Sequence, residues 1–134
     1  MSKQIFRLSL NSTYKESEKV PDFVTEIQEK SQLEEDTTGD LMLLLSEAVT
    51  NAIVHGNKLD EKKKVEVEVK INSKQIISTV KDQGKGFNPE AANDPLKEEN
   101  LLKDSGRGIF LIEEISDSVD YLDNGTTIQF SLNR

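Results

Sequence analysis

The stretch KVEVEVKINSKQIISTVKDQGKGF, residues 64–87, changes the period of the chain and decides the fold class. Val65, Val67, Val69 and Ile71 alternate with Glu66, Glu68 and Lys70, the pattern of a strand with one apolar and one wet face. Asn72-Ser73-Lys74 are turn formers, and Gln75 to Asp82 read as the returning strand, with Ile76, Val80 and Asp82 on one side. That strand ends in an aspartate on its inner face, followed at once by two alternate glycines, Gly84 and Gly86. The carboxylate can accept a hydrogen bond from an exocyclic amine such as that of adenine, and the glycines allow close approach to the backbone. Aspartate and glycine are also ordinary turn formers, so an unremarkable strand-to-loop turn fits the same residues.

Upstream, QIFRLSL (residues 4–10) alternates with Phe6, Leu8 and Leu10 on one side and reads as a half-buried strand. Pro21 suits the first turn of a helix that runs to about Gln32, with Phe23, Val24 and Ile27 as its buried stripe. A longer helix is expected over about Thr38 to Gly56. Its apolar positions Leu41, Leu44, Leu45, Ala48 and Ala52 recur at three- and four-residue steps, and Gly56 is a natural stop. Downstream, residues 84–105 are rich in charge and turn formers without a sustained period, which reads as a lid or binding loop. A helix is expected to begin near Gly106 to Gly108 and continue through IFLIEEI. Two last strands, about Val119 to Leu122 and Thr126 to Leu132, flank the turn signal Asp123-Asn124-Gly125. The order β-α-α-β-β-loop-α-β-β predicts a two-layer α/β (α+β) sandwich: a mixed, mostly antiparallel sheet of about five strands with three helices on one face.

Three further groups carry chemistry. Glu47, Asn51 and His55 stand four apart on the second helix and so line one face, beside the small residues Ala48 and Ala52. Such a row also describes the solvated face of an amphipathic helix. An Asn amide oxygen suits Mg²⁺, and a carboxylate one turn earlier can orient or deprotonate a nucleophile near that metal. His55, the lone histidine, reads as a structural or helix-ending residue ahead of a ligand contact. In Ser105-Gly106-Arg107-Gly108-Ile109 the glycines leave N–H groups free at a helix start, where phosphate is held, and Arg107 can add a charge-assisted contact; a flexible hinge is the plain alternative. Thr126 lies on the expected inner face of the last strand with Ile128, Phe130 and Leu132, toward the layer of Asp82, where it could equally be a satisfied core residue. No GxxxxGK[ST] occurs, and the glycines do not open a βαβ unit, which excludes the Walker and Rossmann phosphate loops.

Composition bounds the partners. At 134 residues the chain is one domain's worth, and with 34% hydrophobic and 5% aromatic residues its core must be aliphatic. A net charge of −8 disfavours nucleic acid and anionic lipid as partners, so an anionic ligand must be held by backbone N–H groups and helix ends. The chain has no cysteine, which removes disulfides and thiolate metal sites and suits a reducing compartment. No signal-peptide h-region or bilayer-length apolar run stands out, and a cytoplasmic location is expected.

Singly these signals are modest; their order is specific. SEAVTNAIVHGN (46–57) resembles the N box of the GHKL ATPase superfamily, DQGKGF (82–87) its DxGxG box, GRGIFLI (106–112) its second glycine box, and GTT (125–127) its closing G-T element. The resemblance spans nearly the whole chain. The size, the short lid and the closeness of SEAVTNA and GRGIFLI are similar to the bacterial anti-sigma-factor serine/threonine kinases.

The resemblance implies a Bergerat-type ATP-binding domain over residues 1–134, with an ATP lid at about 88–105. It implies ATP and Mg²⁺ as ligands. Glu47 would be the catalytic base, Asn51 the Mg²⁺ ligand, and Asp82 the adenine contact supported by Thr126. Gly84 and Gly86 would shape the adenine end, and Gly106, Arg107 and Gly108 would hold the phosphates, with His55 at the close of the N-box helix. It also implies an anti-anti-sigma (STAS-type) protein as substrate, a sigma factor as the sequestered partner, and a homodimer. Another class of reading is a nucleotide-gated module that sequesters a partner without transferring phosphate. A detached histidine-kinase catalytic domain fits less well, because the single histidine lies inside the N-box helix.

Overall fold

The computed structural model describes residues 3–84 and 104–134. Five strands, β1 (Gln4–Asn11), β2 (Lys64–Ile71), β3 (Gln75–Lys81), β4 (Ser118–Leu122) and β5 (Thr127–Asn133), form one sheet in the order β1-β2-β3-β5-β4. The helices are a single turn α1 (Tyr14–Ser17), then α2 (Lys19–Ser31), α3 (Glu35–Asn51) and α4 (Asp104–Ile115). Thr13 caps α1 by accepting from the Glu16 N–H at 3.2 Å, while the Glu16 carboxylate reaches back to the Asn11 N–H at 3.1 Å. Gln32 ends α2 in the left-handed conformation.

The expected two-layer sandwich is the observed one. Alternation on β2 puts Val65, Val67, Val69 and Ile71 into a core shared with Ile76 and Val80 of β3 and Ile128, Phe130 and Leu132 of β5. Val24 and Ile27 of α2, Leu41, Leu44 and Leu45 of α3 and Ile112 of α4 close that core from the helical side. Each fully buried aliphatic side chain contributes roughly 1.5–3 kcal/mol relative to exposure. On the opposite face of the sheet, Arg7 pairs with Glu68 at 3.0 Å and the Ser9 hydroxyl donates to Glu66 at 3.0 Å, each across a cross-strand register pair. Such exposed pairs add little, and the aliphatic layer holds the fold.

The sheet differs from expectation in one respect: every pairing is antiparallel rather than mixed. β3 and β4 run the same way, but β5 lies between them and opposes both. The short turn returns β5 antiparallel to β4, and the pairing of β5 rather than β4 with β3 leaves no parallel neighbours. Asp123, Asn124 and Gly125 all take positive φ there, 53°, 59° and 88°, which this residue trio tolerates better than most.

Two helix boundaries also move. α3 stops at Asn51, and Ala52–Gly56 form a π-turn, with the Asn57 N–H reaching the Ala52 carbonyl at 2.8 Å. α4 starts at Asp104, so Gly106 and Gly108 lie inside the helix instead of opening it. Among the described residues, no helix is long and apolar enough to cross a membrane.

Candidate functional site

α3 is amphipathic, and its apolar stripe of Leu41, Leu44, Leu45 and Ala48 turns Glu47 and Asn51 to the edge of the core. Both are half-buried. Glu47 lies against α4: a Cβ added to Gly108 would stand 2.9 Å from its Oε2. The glycine is therefore what lets the carboxylate approach the start of α4, where the helix dipole favours negative charge. Asn51 follows one turn on, about 6 Å along the axis. Its Oδ1 is buried and accepts no hydrogen bond among the described residues, an orphaned acceptor at the edge of the helix. A buried carbonyl oxygen without a donor is costly unless a ligand, water or cation meets it. A hard cation that takes oxygen ligands fits it. His55 does not continue the row. It lies in the π-turn, whose wider winding takes it off the α-helical spacing, and it is exposed.

The other end of the site is built around Asp82, the first residue past β3. Its N–H continues the ladder to the Thr126 carbonyl at 2.8 Å, and its side chain is 7% exposed. Oδ1 accepts from the Gly84 N–H at 2.8 Å, which leaves the rest of the carboxylate to a further donor. The carboxylate rests on the π-turn: a Cβ on Gly56 would come within 2.3 Å of Oδ2. Gly84 is as tightly placed, its notional Cβ 2.0 Å from the Gly56 carbonyl oxygen. Gly56, anticipated only as a helix stop, is thus the floor under Asp82. Thr126 reaches Asp82 through its backbone carbonyl. Its φ of −79° and ψ of −13° take it out of the strand, which begins at Thr127, and its hydroxyl donates to the Asp123 carbonyl at 2.8 Å. Thr127 is the buried one of the pair, and its hydroxyl donates to the Asp123 carboxylate at 3.2 Å.

Asn57, the last residue of the SEAVTNAIVHGN run, received no role in the sequence reading. It is fully buried and donates from Nδ2 to Ser12 Oγ at 2.8 Å and to the Lys64 carbonyl at 3.0 Å. Its Oδ1 accepts from the Gln83 N–H at 2.7 Å, beside Asp82. No period marks this position, and an asparagine after a helix stop reads as a turn residue. Of the phosphate-end residues, Gly106 and Arg107 fall in the first turn of α4 and Gly108 follows them. Gly86 and residues 88–103 of the expected lid lie outside the described residues; Asp104 and Ser105, its last two, open α4. The structure thus brings Glu47 to Gly108, and Asp82 to Gly56, Gly84 and the Thr126 backbone. Asn51 stands between the two groups along the chain.

Two outcomes follow from this packing. Gly84→Ala would drive a methyl into the Gly56 backbone, which cannot move aside. A loss of about 1–3 kcal/mol is expected by chemical denaturation. Gly39→Ala in α3, where nothing lies within 4 Å, should instead gain up to about 1 kcal/mol. Equal effects at the two glycines would contradict the packing described. Burial raises the Asp82 carboxyl above its ordinary value of 3.8, against smaller opposing effects of the Gly84 N–H and Lys63. The folded protein then holds this proton more tightly than the unfolded chain, so Asp82 costs stability as pH rises from about 3.8 through its raised value. Asp82→Asn, without nucleotide, should melt above the wild type at neutral pH, with the gap closing toward pH 4. A pH-independent gap would show that desolvation of the carboxylate is not the cause.

A carboxylate and an unpaired amide oxygen one turn apart, and a buried aspartate on a glycine floor, are linked by α3 and its π-turn. That division of a site between an N-terminal helix and the end of a central strand agrees with the similarity of the sequence. Residues 10–132 match the histidine kinase-like ATPase domain. The chain is 42% identical over 94 residues to an anti-sigma F factor of Clostridium perfringens, covering 66% of this chain and 67% of that one. It is 35% identical over 99 residues to the anti-sigma F factor of Anoxybacillus flavithermus, 70% and 68% of the two chains. With that of Bacillus cereus it shares 34% over 97 residues, 69% and 66%. The match runs from the end of β1 to the end of β5, taking in every helix between them, and on it the chain belongs to the histidine kinase-like ATPase domain family.

Proposed function

We propose that this chain is an ATP- and Mg²⁺-dependent serine/threonine protein kinase that acts as an anti-sigma regulatory factor. The observation that carries the reading is the buried, unpaired Oδ1 of Asn51, one helical turn from a carboxylate that lies against the start of α4. Its relatives named anti-sigma F factor support the regulatory half of the proposal. The substrate would be a Ser or Thr of an anti-anti-sigma (STAS-type) protein, the sequestered partner a sigma factor, and the acting form a homodimer in the cytoplasm.

Bound Mg·ATP supplies an electrophilic γ-phosphoryl group with its charge partly neutralised. Asn51 would hold the metal through Oδ1. Glu47 would take the proton of the substrate hydroxyl as that oxygen bonds to the γ-phosphorus and the bond to the leaving ADP breaks. Asp82 would accept from the adenine amine with the oxygen that Gly84 leaves open, and Thr126 holds the Asp82 backbone in place. Gly84 and Gly86 would shape the base end. At the other end the free N–H groups of the first turn of α4, that of Gly106 among them, would receive phosphate oxygens, Arg107 would add its charge, and Gly108 would keep the helix close to Glu47. His55 would flank the base end from the π-turn.

The test is incubation with Mg·γ-labelled ATP and candidate anti-anti-sigma proteins of the same genome, reading label on Ser or Thr. Transfer to one of them establishes the kinase and names its substrate. Binding of Mg·ATP without transfer to any would instead make the chain a nucleotide-gated sequestering module.

A further inference from the structure

Two fully buried polar side chains to which the nucleotide reading gives no role, Ser12 and Asn57, bond to each other. Three segments meet there: the end of β1, the start of β2 and the loop after β3. Ser12, also fully buried, donates to the Lys63 carbonyl at 2.8 Å and accepts from Asn57 Nδ2, which ties the end of β1 to the start of β2. Asn57 Nδ2 adds the Lys64 carbonyl, and Asn57 Oδ1 holds the Gln83 N–H at 2.7 Å. Its backbone is as constrained. The N–H closes the π-turn on Ala52, and the carbonyl accepts from the Asp60 N–H at 3.0 Å. Lys58 and Leu59, which follow, both hold positive φ, 53° and 59°, a conformation costly for Leu that persists only where surrounding contacts impose it.

The bond to Gln83 falls between two residues that matter to the site. Gln83 is flanked by Asp82, whose carboxylate rests on Gly56, and by Gly84, whose N–H is given to that carboxylate. A single side chain thus clamps the aspartate loop to the turn on which the aspartate lies, and that turn is the continuation of the helix bearing Glu47 and Asn51. We infer that Asn57 is a positioning residue for base recognition: through Gln83 it sets where the Asp82 carboxylate stands relative to the N-box helix. The inference rests on the reading of Asp82 as the adenine-recognising group. It goes beyond that reading in assigning a share of base recognition to a fully buried residue.

The test compares Mg·ATP with magnesium tripolyphosphate, which carries the phosphate charge and no base, by calorimetry on the full chain. Asn57→Ala should weaken ATP about tenfold or more, the effect of one misplaced buried hydrogen bond, and leave tripolyphosphate within about twofold. Ser12→Ala removes the other half of the cluster while leaving the Gln83 contact, so it should lower thermal stability and keep the ATP-to-tripolyphosphate ratio. Asn57→Asp keeps an acceptor for the Gln83 N–H and should retain much of that ratio, which keeps the idea open to refutation if Asn57→Ala does not fold. Equal weakening of both ligands by Asn57→Ala, or loss of the ratio in Ser12→Ala or Asn57→Asp, would overturn the inference. Asp82→Ala separates the two layers of the argument. If it leaves the ratio unchanged, the adenine reading itself fails. If it abolishes the ratio while Asn57→Ala does not, only the positioning role fails.

Discussion

Glu47→Gln is expected to bind Mg·ATP within about twofold of the wild type and to transfer phosphate about 10²–10⁴-fold more slowly, the usual contribution of a placed general base. The substitution keeps the volume beside Gly108, where a heavy atom already stands 2.9 Å from a notional Cβ, so packing is not the cause of any loss. It removes only the basic oxygen. Single-turnover transfer to the partner protein, measured beside equilibrium nucleotide binding, separates the two effects. A variant that transfers at the wild-type rate would remove Glu47 from the chemistry and leave it a packing contact with α4. A variant that loses binding as well would make the carboxylate a ligand contact.

Asn51→Ala should abolish Mg²⁺-dependent ATP binding, a loss of at least about hundredfold, since hydrogen bonds and ligand bonds to charged groups exceed neutral ones in strength. The same variant carries a second, opposite expectation. Oδ1 is buried with no donor, so the nucleotide-free protein gains nothing from it. Deleting an unsatisfied acceptor and placing alanine in a helix both favour the folded state. The apo melting temperature should therefore hold or rise while the rise produced by Mg·ATP disappears. A fall in apo stability comparable with core truncations would mean that Asn51 is structural, and unchanged Mg·ATP affinity would sink the metal assignment.

The two variants and the Asn57 series probe different parts of one device. Glu47 and Asn51 sit on α3 before the π-turn, and Gly56 and Asn57 sit in and just after it. An i→i+5 turn inserts an extra residue's rotation into a helix, and such turns are frequent at functional sites. Here it delivers Gly56 under the Asp82 carboxylate and buries Asn57 against Gln83. A regular α-helix through Gly56 would have kept His55 on the Glu47–Asn51 row.

What the sequence by itself determined is what repeats or has a position. The alternation of Val65 to Ile71 fixed the wet and dry faces of β2, the three- and four-residue steps of α3 put Leu41, Leu44 and Leu45 in the core, and Asp123-Asn124-Gly125 marked the turn into β5. The inner-face placement of Asp82 followed from the parity of β3. Only the tertiary structure decided the rest. That β5 separates β3 from β4, so that no pair is parallel, depends on which strand fills the gap, a long-range competition that local period does not encode. That Thr126 gives its carbonyl and not its hydroxyl toward Asp82 depends on one residue leaving the extended conformation, which ends the alternation on which its placement rested. Gly56 and Asn57 matter because segments 26 or more residues apart in the chain, at Asp82 and at Gln83, come to lie within contact distance of them. Periodicity reports which way a side chain faces; what it meets there is set when the layers pack.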